Sequence, residues 1–200
     1  MNGFDVLRTY LLRRAPVSDE EFALMKGVFV ARTVRAGDYL QRAGDPAQFG
    51  MFVARGCLRS YVIDGKGVER IVQFAPEEWW LSDIESLLTG KPSQYFVDAI
   101  EDSEVLLLSP AGHQQLVRQV PGYAASMRAG LERHTAAKDK RIVGTLTRSA
   151  AERYQEFLET YPSIALRVPQ WMVASYLGIS PETVSRIRAR ASRAPKKSLA

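Results

Sequence analysis

The stretch QWMVASYLGISPETVSRIRA at residues 170–189 constrains the fold most strongly, because its spacing is that of two short helices crossing at a tight turn. Ala174 is small where the two helices must approach each other. Gly178 stands where the chain must turn, and glycine adopts a positive φ at little cost. Ser180 is a suitable N-cap, and Pro181 suits the first turn of the second helix. The sequence therefore predicts a helix-turn-helix.

The second of these helices has one apolar and one polar face. Val184 and Ile187 are expected to turn towards the core, which leaves Glu182, Ser185 and Arg186 on the outward face at helical spacing. Such a face is what a recognition helix presents to the major groove of DNA. Arg186 can bind guanine bidentately, Glu182 can accept from a cytosine amine, and Ser185 can bind either base. The alternative is a plain helical hairpin with a basic surface.

Basic residues surround this motif. The chain holds 27 Lys and Arg against 22 Asp and Glu. Residues 1–110 contain 12 basic and 16 acidic residues, whereas residues 111–200 contain 15 basic and 6 acidic residues. This charge gradient predicts that the C-terminal part binds a polyanion. Lys and Arg side chains that neutralise phosphates release condensed counterions from the nucleic acid, which favours binding. A solvated basic tail is the alternative. The residues expected to contact the DNA backbone are Ser180, Thr183, Arg188, Arg190 and Arg193.

Residues 28–110 have a different pattern, in which short β-branched and aromatic runs alternate with turn signals. The runs are VFVARTVR, FGMFVARG, CLRSYVI, VERIVQF, YFVDAI and EVLLLS. Between two of them, DGKG at 64–67 is a strong hairpin signal. Many short strands with no long helix between them predict an antiparallel β-sandwich or barrel.

A helical pattern follows from residue 121 to about residue 146. Ala124, Met127, Leu131 and His134 recur at gaps of three and four, which is typical of a helix that pairs with a copy of itself. Packing of this face on its own domain is the alternative. A further helix is predicted at 149–160, after a capping serine and before a proline that restricts its neighbour.

Taken together, the chain resembles the Crp/Fnr family of bacterial transcription regulators, through SAAERYQEFL at 149–158 and VPQWMVASYLGISPETVSRIRAR at 168–190. The recognition-helix pattern of that family falls on Glu182, Ser185 and Arg186. The resemblance implies an α+β fold with a cyclic-nucleotide-binding-like antiparallel β jelly-roll sensor at 1–110. It also implies a connecting and dimerisation helix at 111–147 and a winged-helix-like DNA-binding domain at 148–200.

The function implied by the resemblance is sequence-specific binding of double-stranded DNA, without enzymatic activity. A homodimer would bind a near-palindromic operator with half-sites about 34 Å apart. RNA polymerase is a further partner that the resemblance suggests. Pro181 stands where many family members have arginine, and little sequence follows for a wing. Any wing would then come from local pairing at 164–168 or be absent.

The sensor departs from the family's cyclic-nucleotide pocket. Aligning back from the strand at 97–109 places 81–83 on the family's Phe-Gly-Glu motif and 93–95 on its phosphate-binding arginine and small residues. A buried phosphate would then lack its charge partner, so we expect the effector, if there is one, not to be cAMP. The possible effector pocket is assigned to Trp80, Asp83, Ser93, Gln94 and Tyr95.

Other chemistries have little support. The single cysteine, Cys57, excludes an intramolecular disulfide and any all-cysteine metal site within one chain, and we expect no metal or other cofactor. Carboxylate pairs at 77–78 and 101–102 lie beside turn signals and are predicted to be solvated. No apolar run approaches the roughly 20 residues of a membrane helix, and no secretory signal is evident, so a cytoplasmic protein without membrane contact is expected.

Two alternative functions remain open. One is a small-ligand-binding β-barrel module whose basic C-terminus contacts a protein partner, which function independent of salt and DNA would favour. The other is a cupin-like enzyme, which tight stoichiometric metal binding would favour.

Overall fold

The computed structural model describes residues 2–193, with side chains as far as residue 190. The helices are α1 (Gly3–Leu12), α2 (Asp19–Val28), α3 (Ile84–Thr89), α4 (Pro110–Gln119), α5 (Pro121–Thr147), α6 (Ala150–Thr160), α7 (Ile164–Arg167), α8 (Gln170–Leu177) and α9 (Pro181–Arg193). The strands are β1 (Val30–Val34), β2 (Tyr39–Gln41), β3 (Gly50–Arg55), β4 (Leu58–Ile63), β5 (Glu69–Ala75), β6 (Trp80–Leu81), β7 (Phe96–Ala99) and β8 (Ser103–Leu108).

The strands form two four-stranded antiparallel sheets, ordered β1-β8-β3-β6 and β2-β7-β4-β5. The predicted jelly-roll-like α+β fold is confirmed, and each of the six predicted runs contains a strand. The hairpin signal at 64–67 joins β4 to β5, where Asp64 and Val68 share a backbone hydrogen bond of 3.0 Å. The short strands β2 and β6 were not predicted, because three and two residues are too few to establish a period.

Two helices precede the sheets, although the sequence analysis treated residues 1–110 as a β domain. Both begin with a capping box. The side chain of the N-cap, Asn2 or Ser18, accepts from the backbone N–H three residues later, and the carboxylate of that later residue accepts from the backbone N–H of the N-cap. This local signal could have been recognised in the sequence. The buried side chains of α1 and α2 pack on Phe52, Ala54 and Leu106 of the first sheet.

The region expected to be one connecting helix consists of two, α4 and α5. The break lies at Val120, which caps both helices, because Pro121 has no backbone N–H and begins a new helix. The predicted helix at 149–160 is α6, with a full capping box between Ser149 and Glu152. Residues 164–167 form the short helix α7, so the suggested local β-pairing is wrong there, and no strand follows β8 within residues 2–193.

The C-terminal helices share a hydrophobic core with the second sheet. Cys57, Tyr61, Ile71 and Phe74 of the sheet region form one cluster with buried side chains of α6, α7, α8 and α9. Cys57 is fully buried there, and burial raises the pKa of its thiol to about 12. The strands and the last four helices are therefore packed as neighbours through a common apolar interior.

Candidate functional site

The turn between α8 and α9 has the geometry predicted from its residues. Gly178 has φ +66°, in the left-handed region, and ends α8. The backbone N–H of Ile179 donates to the carbonyl of Ala174 at 3.0 Å, which satisfies one of the free carbonyls at the helix end. Ser180 then accepts from the backbone N–H of Thr183 at 3.3 Å, and α9 begins at Pro181.

The two helices contact each other through small and apolar side chains. Val173, Ala174 and Leu177 of α8 are buried, and Val184 of α9 is fully buried against them. Ile187 is half-buried on the same cluster, as its spacing from Val184 predicts. These buried side chains fix the crossing of the two helices, and Glu182, Ser185 and Arg186 lie on the exposed side of α9.

Glu182, Ser185 and Arg186 lie together on the exposed side of α9. The guanidinium of Arg186 donates to the hydroxyl of Thr183 one turn earlier, at 3.1 Å, which restricts its rotamers while leaving donors free. The hydroxyl of Ser180 lowers the pKa of Glu182 from its ordinary value, so this carboxylate is ionised and acts as an acceptor at neutral pH. This face therefore offers both donors and acceptors.

Arg188 and Arg190 are exposed on either side of this face, and Thr183 is half-buried beside it. Neither arginine, nor Arg186, forms an ion pair within residues 2–193. Their charges are available to a polyanion. Arg193, also expected to contact the DNA backbone, ends α9, and its side chain lies outside the described part of the chain.

The other helix of the motif, α8, is docked on the edge strand β5. The hydroxyl of Ser175 donates to the carbonyl of Glu69 at 2.7 Å and accepts from the backbone N–H of Ile71 at 2.9 Å. The serine thus replaces the neighbouring strand that β5 lacks on this side. This contact could not be predicted from the sequence, because a serine within a helix carries no signal of a distant strand.

Arg141 of α5 joins the same two elements. Its guanidinium donates to the carbonyls of Val72 at 2.5 Å and Ile71 at 3.2 Å, and to the carbonyl of Tyr176 at 2.7 Å. It also lies over the Tyr176 ring, 3.9 Å from the centroid. This one cation therefore joins the sheet, the connecting helix and the helix-turn-helix through neutral acceptors, and it forms no ion pair with a carboxylate among residues 2–193.

A second junction is formed by Arg167 at the end of α7. It binds Glu77 through two hydrogen bonds of 2.8 and 2.9 Å and also pairs with Glu101. Burial opposes ionisation of Glu77, but hydrogen bonds from Arg167 outweigh it, so the pKa of Glu77 is lowered. The prediction that these carboxylates are only solvated loop charges is wrong for Glu77 and Glu101.

A cavity of about 510 Å³ lies in the sensor beside α3. Of the predicted pocket residues, Asp83, Gln94 and Tyr95 line it. Ser93 is buried behind it and donates its hydroxyl proton to Asp83 at 2.6 Å. Asp83 is also the N-cap of α3, so its carboxylate is already engaged by protein donors.

Trp80 does not belong to this cavity. Its ring packs in the core with Phe29 and Phe52, at centroid distances of 6.1 and 5.3 Å. Assignment of Trp80 to the pocket is therefore wrong, because in the β6 strand it faces the first sheet's core. Two lysines that the sequence analysis missed, Lys91 and Lys138, do line the cavity.

The residues assigned to the dimer seam have different surroundings. Met127 packs on the core formed by α1, α2 and the first sheet, and half-buried His134 lines a cavity. Ala124 is half-buried, whereas Leu131 is 51 % exposed. Further along α5, the exposed apolar side chains are Ile142, Val143 and Leu146. The unpartnered apolar surface of α5 thus lies towards its C-terminal half.

The described residues were expected to hold neither a metal site nor a membrane-spanning helix. No group of three or more His, Cys, Asp and Glu side chains that could hold a metal ion occurs in this part of the chain. Nor is any described helix long and apolar enough to cross a membrane.

The chain is similar to known proteins in sequence over part of its length and in fold over most of it. Residues 31–120 match the family of the cyclic nucleotide-binding domain. The fold is similar to that of FixK2 from Bradyrhizobium japonicum, with a TM-score of 0.71, 21 % identity and coverage of 82 % of this chain and 85 % of that one. Comparison with curated protein sequences finds no match.

Two further solved structures have the same fold. The catabolite activator protein of Thermus thermophilus is 25 % identical, with a TM-score of 0.56 and coverage of 88 % and 84 % of the two chains. The c-di-GMP-responsive global regulator CLP of Xanthomonas campestris is 13 % identical, with a TM-score of 0.70 and coverage of 88 % and 92 %. The resemblance to Crp/Fnr regulators inferred from sequence is confirmed.

Proposed function

We propose that this chain, a Crp/Fnr-like protein with a cyclic nucleotide-binding domain at 31–120, is a sequence-specific DNA-binding transcription regulator. In this proposal residues 1–110 are the sensor, 111–147 the connecting and dimerising region, and 148–200 the DNA-binding domain. The operator is a near-palindrome bound by a homodimer. RNA polymerase is the expected further partner, and the bacterial cytoplasm is the expected compartment.

The observation that carries the proposal is the orientation of α9. Val184 and Ile187 hold the helix from inside, while Glu182, Ser185 and Arg186 stay on the solvent side. Such a helix fits the major groove, in which Arg186 can bind guanine O6 and N7 and Glu182 can accept from cytosine N4. A helical hairpin with a purely structural role has no need of an ordered polar face.

Contacts to the DNA backbone are assigned to residues around this face. Ser180 and Thr183 lie at the N-terminus of α9, where backbone N–H groups favour an anion. Arg188 and Arg190 flank the helix with exposed charges that form no ion pair in the described part of the chain, and Arg193 continues the basic side in sequence. These groups fix the position of the helix on the duplex without reading its sequence.

The dimer contact is assigned to α5. The predicted seam contained Ala124, Met127, Leu131 and His134, of which Leu131 is the most exposed. Exposed Ile142 and Leu146 extend from Leu131 along one side of the helix at roughly helical spacing. Pairing of two copies along this side is proposed, and binding to two half-sites one turn of duplex apart requires recognition helices about 34 Å apart.

The effector of the sensor is proposed to be a small molecule other than cAMP. The family's arginine is replaced at 93–95, and Tyr95 lines the space that a cyclic phosphate would need. Asp83 is committed to Ser93 and to the start of α3. Lys91 and Lys138 bring positive charge to the cavity from other directions. We expect calorimetry with cAMP to detect no binding at micromolar concentration, and a stoichiometric titration there would contradict this.

The test of the main proposal is selection of random duplex DNA by the purified protein at moderate salt, followed by sequencing. We expect an enriched inverted repeat with half-site centres about one helical turn apart. The result that would overturn the proposal is no enrichment, both for the protein alone and with a cell extract supplying small molecules. Sedimentation in the same buffer tests the dimer independently.

Paired variants separate base reading from backbone binding. Arg186→Ala should relax the preference at one position of each half-site and cost about 1–3 kcal/mol of binding free energy. Arg190→Ala should weaken binding to all sequences alike and flatten the dependence on salt. If the two variants lose affinity in the same way, Arg186 is a phosphate contact and the assigned base readout is wrong.

A further inference from the structure

A second cavity lies between the domains, separate from the sensor cavity. Its volume is about 130 Å³, and it is lined by β5, the C-terminal half of α5, α6 and the end of α8 and is partly open to solvent. It therefore touches the sensor sheet, the connecting helix and the helix-turn-helix at once. The two cavities adjoin, since Val72, Gln73 and Lys138 line both of them.

The charge around this space is unbalanced. Four cationic side chains line it, namely Lys138, Lys140, Arg141 and Arg153, against one carboxylate, that of Glu156. Glu156 is already engaged, since it pairs with Lys140 at 3.1 Å and with Arg148. Burial and the nearby Lys138 lower the pKa of His134, so this lining residue adds no charge at neutral pH. A net positive charge is left without an acidic partner.

Arg153 has an unmet hydrogen-bonding requirement. Its Nε is buried from solvent and has no hydrogen-bond partner among residues 2–193, although the side chain as a whole is half-buried. A buried donor attached to a charged group costs free energy when it is left unpaired. Arg141, on the facing helix, binds only neutral carbonyls. Both guanidinium groups are therefore suited to an anionic acceptor.

Aromatic rings form another part of the wall. Trp79 and Tyr161 pack at a centroid distance of 5.0 Å, and Tyr176 meets Tyr161 edge-on at 5.6 Å. All three line the cavity. A cavity of about 150 Å³ is known to accept a benzene ring, so the volume here suits one ring rather than a nucleotide.

We propose that this interdomain cavity binds a small aromatic carboxylate, with the ring against Trp79 and Tyr176 and the carboxylate on Arg153. Carboxylate and guanidinium form charge-assisted hydrogen bonds, which are stronger than neutral ones. A ligand here contacts β5, α5 and α8 together, so it stabilises the docked position of α8. The proposal concerns ligand binding by this chain and does not depend on its binding DNA.

The experiment is calorimetric titration of the full chain with benzoate and, as a matched uncharged control, with benzamide. We expect one benzoate per chain, and affinity for benzamide lower by about tenfold or more, because benzamide lacks the charge. Arg153→Met should lower the affinity for benzoate by a similar factor. Arg128→Met, an exposed arginine of α5 outside the cavity, should leave the affinity within about twofold.

Other outcomes would overturn the proposal. Equal binding of benzamide means that charge is not recognised, and equal competition by acetate means that the ring is not. Weakening by Lys91→Met rather than Arg153→Met would place the ligand in the sensor cavity. Absence of benzoate binding to the unmodified chain refutes the site without using any variant. None of these results bears on the DNA selection, so the two proposals fail separately.

Discussion

The two helices of the helix-turn-helix have opposite surroundings. α8 is held by the sensor, with Ser175 on the edge strand β5 and the Tyr176 carbonyl on Arg141. α9 buries only its inner side chains, on α8 and α6, and exposes Glu182 and Arg186 to solvent. Thus α8 is fixed to β5 and α5 by hydrogen bonds, whereas Glu182 and Arg186 of α9 are exposed to solvent.

This difference separates the positioning of the motif from the contacts it can make. α8 determines where the motif lies relative to the sensor sheet, because its partners are backbone groups of β5 and a cation of α5. The position of α9 follows from that of α8, because Val184 and Ile187 pack on the same cluster as the buried side chains of α8. A change in the sensor can therefore reach α9 through α8 and the shared core.

The largest effect is expected at the shared core. Phe74 of β5 is fully buried against rings of α6 and α8, including Phe157 at 6.0 Å and Tyr176 at 5.5 Å. Phe74→Ala should lower the free energy of unfolding by about 3–5 kcal/mol and speed amide exchange in α8. Denaturant unfolding and hydrogen exchange measure the two effects.

The matched variant is Phe52→Ala, at an equally buried ring in the first sheet, which contacts Tyr10 and Trp80. It should destabilise the chain by a similar amount while leaving local exchange of α8 closer to that of the parent protein. The interpretation that α8 is fixed to the sensor fails if both variants speed exchange in α8 equally.

A smaller effect is expected from paired serines on the two helices. Ser175→Ala leaves the Ile71 N–H and the Glu69 carbonyl without their partner, which should cost about 1–3 kcal/mol of stability. Ser185→Ala, on the exposed side of α9, should change stability by less than about 0.5 kcal/mol. Thermal unfolding of both variants checks the contrast, and equal losses would mean that α8 is not anchored through this serine.

The smallest effect concerns pH. The pKa of Glu77 is lowered from 4.5 in the folded chain, because Arg167 outweighs burial, so its pairing stabilises the fold above pH 4.5. This contribution is lost as the pH falls below 4.5 through the folded-state pKa. Arg167→Gln should therefore reduce the loss of stability on acidification, whereas Arg118→Gln, at an exposed residue of α4, should not. Identical acid profiles for Arg167→Gln and the parent chain would contradict the assignment.

Much of the helix-turn-helix could be predicted from the sequence because its determinants are local. A left-handed glycine at 178, a capping serine at 180 and a proline at 181 act within a few residues of one another. The same holds for the strands of the jelly roll, because their short β-branched and aromatic runs and the turn residues between them can be recognised within a few residues of sequence. The capping boxes of α1 and α2 also involve residues only three positions apart, so these two helices could have been predicted from the sequence as well.

What only the tertiary structure decided involves partners far apart in the chain. Arg141 reaches carbonyls 69 and 70 residues earlier, and Ser175 binds backbone groups 104 and 106 residues earlier. Adjacent Trp79 and Trp80 enter different cores, one beside Tyr161 and the other beside Phe52. No local preference encodes such contacts, since they arise when separate elements compete to bury the same apolar surface. The sequence by itself thus determined the two helices, their turn and the polar face of α9, and tertiary packing decided which distant groups hold the motif in place.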